Sequence, residues 1–263
     1  MKILTGIILL GVMVGCSQPT AQQQTNAEPE AAAEPVAEAL NVLSASEEAD
    51  GWKLLFDGST SDGWRGYGKE NFPKAWKVED GAFYLPSKTK RTDDELADAG
   101  DIIYDQEFEN FHLKLEWKIG ENGNSGIFYL GQELPDFGPI YKTAPEMQVL
   151  DNDGHPDSDR GKDGNRKASS LYDLIPAVPQ NANPAGEWNA VEVIKNGKLI
   201  QHVQNGEVVV SYEYGTDEWI ELVAGSKFPG LNEDWANLSD KGLIGLQDHR
   251  DDVWFRNIKI KEL

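Results

Sequence analysis

The strongest regularity in the chain is an alternation of apolar and polar positions. From Phe111 to Ile119, the residues Phe111, Leu113, Leu115, Trp117 and Ile119 fall on one side, and His112, Lys114, Glu116 and Lys118 on the other. This period of two is that of a strand with one face on a core. Similar β-branched and aromatic runs start at Ala75, Ser125, Trp188 and Gly242, broken by glycine turns every ten residues or so. Asn196-Gly197 and Asn205-Gly206 are preferred two-residue hairpin turns, and Asn122-Gly123 is a further turn candidate. DDELADAG near Asp93 is a short helix candidate, and no long amphipathic helix stands out. The pattern predicts an all-β chain, an antiparallel β-sandwich or jelly roll.

Two strands carry polar chemistry on the face opposite their apolar one. In APEMQVLDN, Met147 and Val149 point one way and Glu146, Gln148 and Leu150 the other. In GLIGLQDHR, Ile244, Leu246 and Asp248 share one face, and Leu243, Gly245, Gln247 and His249 share the other. If Ile244 and Leu246 face the core, Gln247 and His249 lie on the open face. KLIQHVQNG is ambiguous in phase, which leaves His202 either in a concavity or satisfied in the core.

Composition sets the limits of the domain. The chain opens MKILTGIILLGVMVGC, a lysine and a short apolar run of the kind that directs export. Gly15-Cys16 resembles a bacterial lipobox, with Met13 in place of the usual leucine, so Cys16 is the expected lipidation site of an exported, membrane-anchored protein facing the periplasm or the cell surface. Cys16 is the only cysteine, so no internal disulfide staples the fold. Residues 17–50 are rich in Gln, Ala, Glu and Pro, with no Lys or Arg, and are expected to form a disordered tether that contributes nothing to folding. The remaining domain, 51–263, carries 23 basic and 38 acidic side chains, a net charge of −15. That balance argues against nucleic acid and anionic membrane surfaces as partners. Neutral ligands, or ligands held through a cation, fit it.

Six segments in order, GWKLLFDGSTSDGW, NFHLKLEWKIGENGNSGIFYL, PEMQVLDN, SSLYDLIPA, GEWNAVEVIKNGKLIQHVQNG and GLIGLQDHRDDVWFRNIKIKEL, resemble the 3-keto-disaccharide hydrolase family over Trp52 to Leu263. The resemblance implies a concanavalin-like or laminin-G-like jelly roll acting on sugars oxidised to a ketone at C3. The loop Asp153 to Arg166 is longer and more charged than the family pattern.

A C3 ketone makes the C2 hydrogen acidic and places the glycosidic oxygen on C1 β to the carbonyl. Loss of the C2 proton then expels the leaving group, and water adds back. Such chemistry needs a base, a donor for the enolate oxygen and an acid for the leaving oxygen. Glu146 and His249 are the proton-transfer candidates, with Asn124, Gln148 and Gln247 orienting the sugar and His202 in reach. Eight tryptophans are available, of which Trp188 and Trp64 are the candidate site aromatics, against core packing as the ordinary role. Asp151, Asp173 and Asp248 are second-line candidates that orient His249 or bind a divalent cation, with turn and cap duty as the alternative. DNDGHPDSDRGKDGNR offers five aspartates for calcium but fails the EF-hand spacing and reads as a flexible charged loop, and His155 lacks a partner at zinc-ligand spacing. Two other functions compete: a lectin-like binding module, and a glycoside hydrolase pairing Glu146 with Glu116 or Asp151.

Overall fold

The computed structural model describes residues 39–134 and 138–263, with the single glycines at 11 and 15. The export signal, Cys16 and most of the tether lie outside the described residues. Within them the chain forms helix α1 (Ala45–Ala49), strands β1 (Trp52–Leu54), β2 (Trp64–Gly66), β3 (Lys77–Glu79) and β4 (Ala82–Leu85), and helix α2 (Asp93–Ala97). Strands β5 (Ile102–Phe108), β6 (Phe111–Ile119), β7 (Asn124–Gly131) and β8 (Glu146–Leu150) follow. The rest is β9 (Asn189–Asn196), β10 (Leu199–Gln204), β11 (Glu207–Glu213), α3 (Asp217–Ala224), β12 (Gly242–Leu246) and β13 (Val253–Glu262).

Every strand pairing is antiparallel, in two sheets. The larger runs β11-β10-β9-β6-β13-β4-β3 with β1 beside β13, and the smaller β2-β5-β12-β7-β8. Phe111, Leu113, Leu115, Trp117 and Ile119 of β6 meet Ile127, Tyr129, Met147, Val149, Ile244 and Leu246 of the smaller sheet in one core. Removing each such side chain from water contributes about 1.5–3 kcal/mol. The jelly-roll sandwich expected from the alternation is therefore the observed architecture. Asn205 and Gly206 both take positive φ in the β10–β11 turn, as a tight hairpin requires. Asn122, also at positive φ, instead turns the chain from β6 in one sheet to β7 in the other. In α2, Thr92 and Glu95 form a capping box.

The domain boundary differs from expectation. The compact unit begins at Ala39 rather than near Gly51. Asn41 is buried, its side chain donating to Gly81 O at 2.8 Å and accepting from Asn257 N at 2.8 Å, while its own N–H donates to Asn257 Oδ1 at 2.6 Å. Glu47 and Asp50 pair with Lys259 and Lys261 of β13. Leu40 and Val42 of this segment stay exposed, so the dock is made of hydrogen bonds and ion pairs, which composition does not register.

Candidate active site

Strand β8 is the edge of the smaller sheet, with Met147 and Val149 in the core and Glu146 and Gln148 on the outer side. That side was expected to be open. Instead the chain beyond β8 returns along its free edge: Ser169 N donates to Gln148 O, Gln148 N to Ser170 O and Tyr172 N to Glu146 O. All five residues of β8 are buried as a result. Gly126 on the neighbouring strand leaves the space that Glu146 fills, since a Cβ there would overlap the Glu146 carboxyl.

A cavity of 290 Å³ opens over this spot. Glu146, Asn124 from the start of β7 and Gln247 just past β12 form its polar floor, with His249 and Lys227 also lining it. Tyr141, Tyr172, Phe228 and Leu231 supply an apolar wall. Asn124 Oδ1 and Gln247 Oε1 are buried with no protein donor, so the floor presents two acceptors suited to sugar hydroxyls. Burial pushes the Glu146 carboxyl up to about 8. The Lys227 ammonium and the Gln247 amide oppose that rise, while Asp101 and Asp157 add to it.

Lys227 sits 4.1 Å above the Tyr172 ring and 3.9 Å from Asp173 Oδ2, and burial lowers its pKa. Tyr172 donates to Asp157 Oδ2 at 3.0 Å, and Arg166 bridges Asp157 and Asp173. The charged loop expected to be flexible is thus a tied network, with Asp157, Ser158 and Asn165 buried. His249 is half exposed, with Nδ1 3.7 Å from Asp251 Oδ2.

Four of the expected site residues therefore meet in one cavity: Glu146, His249, Asn124 and Gln247. Others do not. Gln148 is fully buried under the loop, donating to Arg166 O. His202 lies between the sheets, bonded to the Tyr129 hydroxyl and Ser169 O, and burial lowers its pKa to about 4. Ile200, His202 and Gln204 share a fully buried face while Leu199 and Gln201 opposite are partly exposed, which resolves the ambiguous phase in favour of the core. Trp188 stacks under Arg256 and Lys118, which belong to strands of the larger sheet, and Trp64 is a core residue donating to Leu55 O.

The acidic candidates are committed to protein donors. Asp248 forms a buried bidentate pair with Arg91, and Asp151 caps the turn at Asn122 N and Asp153 N. Glu116 binds Arg256 and Asn257, so neither partner proposed for a two-carboxylate mechanism faces Glu146 across the cavity. Among the described residues, no three His, Cys, Asp or Glu side chains are grouped to hold a metal ion. Lys227, Tyr172, Tyr141, Phe228 and Leu231 were not anticipated. They lie in connections where no periodic signal marks a side chain's direction.

A profile of the 3-keto-alpha-glucoside-1,2-lyase-like domain matches residues 51–261. A 3-keto-disaccharide hydrolase from Bacteroides thetaiotaomicron is 43% identical over 278 aligned positions, covering 96% of this chain and 95% of that protein. A crystal structure of a candidate glycosyl hydrolase from Parabacteroides distasonis superimposes with a TM-score of 0.74 at 32% identity, covering 86% of this chain and all of that one. A second from the same organism gives a TM-score of 0.57 at 28% identity over 76% of this chain and 99% of that one.

Proposed function

This chain belongs to the 3-keto-alpha-glucoside-1,2-lyase-like family, and we propose that it cleaves 3-keto-disaccharides by elimination at C1–C2 followed by addition of water. The observation that carries this reading is a buried carboxyl with a pKa near 8 on the cavity floor, flanked by unpaired amide acceptors and a weakly paired ammonium.

A carboxylate forced to ionise in a buried site is a stronger base than one in water, which suits removal of a carbon acid proton. Glu146 takes the C2 proton, and the C2–H electrons form the enolate with C3. The Lys227 ammonium stabilises the enolate oxygen. Collapse of the enolate restores the ketone, makes the C1–C2 double bond and breaks the bond from C1 to the leaving oxygen, which His249 protonates. Water then adds to C1 and a proton returns to C2. Asn124 Oδ1 and Gln247 Oε1 accept from ring hydroxyls, and the apolar wall covers the hydrophobic face of the sugar.

The decisive assay runs the 3-keto-disaccharide and its plain counterpart side by side in deuterium oxide. Cleavage of the keto sugar alone, with deuterium at C2 of the product, is expected. Retention of the original C2 hydrogen would exclude elimination, and binding of both sugars without turnover would favour the lectin-like alternative. We further infer from the sequence that Cys16 is lipidated and tethers the domain to the outside of the membrane by which it is exported.

A further inference from the structure

A cavity of 290 Å³ lies just below the range for small-molecule sites, about 300–1,000 Å³, so space adjoining it is a candidate for part of a disaccharide. A second cavity, of 610 Å³, is lined by Tyr67, Gly68, Gly100, Asp101, Leu134 and Pro139 among others. No residue lines both cavities, but the segments that line them are joined on two sides. Asp248 N donates to Asp101 Oδ1 at 2.9 Å and Gly100 N to Asp248 Oδ2 at 3.0 Å, so the pair Gly100–Asp101 of the second cavity is zipped to the segment that carries Gln247 and His249 in the first. On the opposite side, Pro139 lines the second and Tyr141 the first, two residues apart in one short segment.

We propose that this second cavity is the subsite for the leaving sugar of the 3-keto-disaccharide. The proposal rests on the cleavage reading above and adds the position of the half of the substrate that is released. Its chemistry suits a pyranose. Tyr67, Leu134 and Pro139 offer apolar surface for the C–H face of a ring, and the half-buried Asp101 offers an acceptor for hydroxyls. Gly68 and Gly100 leave open room, since a Cβ at either would meet no heavy atom within 4 Å. Glu133 at the rim is already held by Arg65 and Gly68 N, so it frames the opening without needing a ligand.

The test uses two substrates that share the keto ring and differ in the leaving group: a 3-keto-disaccharide and methyl 3-keto-glucoside. Leu134 is 44% exposed, so Leu134→Trp narrows the subsite without disturbing the core. Its KM for the disaccharide is expected to rise by about tenfold or more, with that for the methyl glycoside changed by less than about twofold. Leu96→Trp, at an equally exposed leucine that lines neither cavity, is expected to treat both substrates like the wild type. Equal effects of Leu134→Trp on both substrates, or none on either, would overturn the subsite while leaving the cleavage reading intact. A wild-type enzyme that cleaves neither substrate would instead remove the reading on which the subsite rests.

Discussion

Replacing Glu146 by Gln separates the base assignment into two observables that must agree. Glu146 is 7% exposed, and burial pushes its carboxyl pKa from 4.5 up to about 8. Between those values the unfolded chain has already lost this proton and the folded chain retains it, so the folded state binds more protons and stability falls as pH rises. From pH 5 to pH 9 this one group removes roughly 4 kcal/mol of stability, at about 1.36 kcal/mol for each unit of pKa difference. Glu146→Gln cannot titrate and lacks this slope. Denaturant unfolding of both proteins at pH 5, 7 and 9 should therefore show the variant gaining on the wild type by about 4 kcal/mol across the range, since titrating groups that do not interact with Glu146 cancel in the difference. Kinetics supply the second observable. A base with a pKa near 8 is about one-tenth ionised at pH 7, so with proton removal at C2 limiting the rate, a step that precedes the action of His249, kcat/KM of the wild type should rise nearly tenfold from pH 6 to 7 and level off above about 8. The variant should be slower by about 10²–10⁴-fold. Parallel stability curves would refute the buried, neutral carboxyl. A wild-type rate that falls through pH 8 would make Glu146 the acid and exchange its role with His249.

Four further outcomes are expected. Lys227→Met should lower kcat/KM by about 10²–10³-fold and move the rising limb to higher pH, since Lys227 holds the Glu146 pKa down; an unmoved limb with the same loss would assign Lys227 to binding alone. Gly126→Ala should displace the Glu146 carboxyl and cost about 10²-fold in rate with the sandwich still folded, as judged by circular dichroism. A chain starting at Gly51 should melt roughly 6–12 °C below one starting at Ala39, because the three Asn41 hydrogen bonds contribute about 1 kcal/mol each and each kcal/mol shifts a domain of this size by about 2–4 °C; equal melting would return residues 39–50 to the tether. Cys16→Ala should abolish incorporation of labelled palmitate and release the protein from the membrane fraction, and equal labelling of both forms would end the lipoprotein proposal.

What was legible in the sequence follows from which directions a strand fixes. The period of two in β6 and β8 assigns each side chain to a face with no knowledge of the rest of the fold, so the core and the outward Glu146 could both be read. The same rule gave Gln247, because Ile244 and Leu246 point inward. Alternation says nothing, however, about what covers a face. Gln148 has the same outward direction as Glu146, yet the returning chain closes over it, and the cavity begins only where that cover ends. His202 failed for the related reason that its face of the strand turns into the core, where a polar residue is satisfied by Tyr129 and Ser169 rather than by a ligand.

Lys227 marks the other limit, and it shows how the loops complete the chemistry that the strands begin. It follows α3 in a segment of turns, with no repeat to say where its side chain goes. Its position depends on Tyr172 and Asp173, which are placed in turn by Arg166 and Asp157 from a loop that composition marks as a solvated charge run. A cation near a buried carboxyl normally forms a close pair and holds the carboxyl ionised. Here Asp173 and the Tyr172 ring hold the ammonium instead, and Asp101 and Asp157 act on Glu146 in the opposite sense. The carboxyl thereby stays basic while a positive charge remains beside it for the enolate. That combination requires several loops to agree in space, and no local pattern in the chain encodes it.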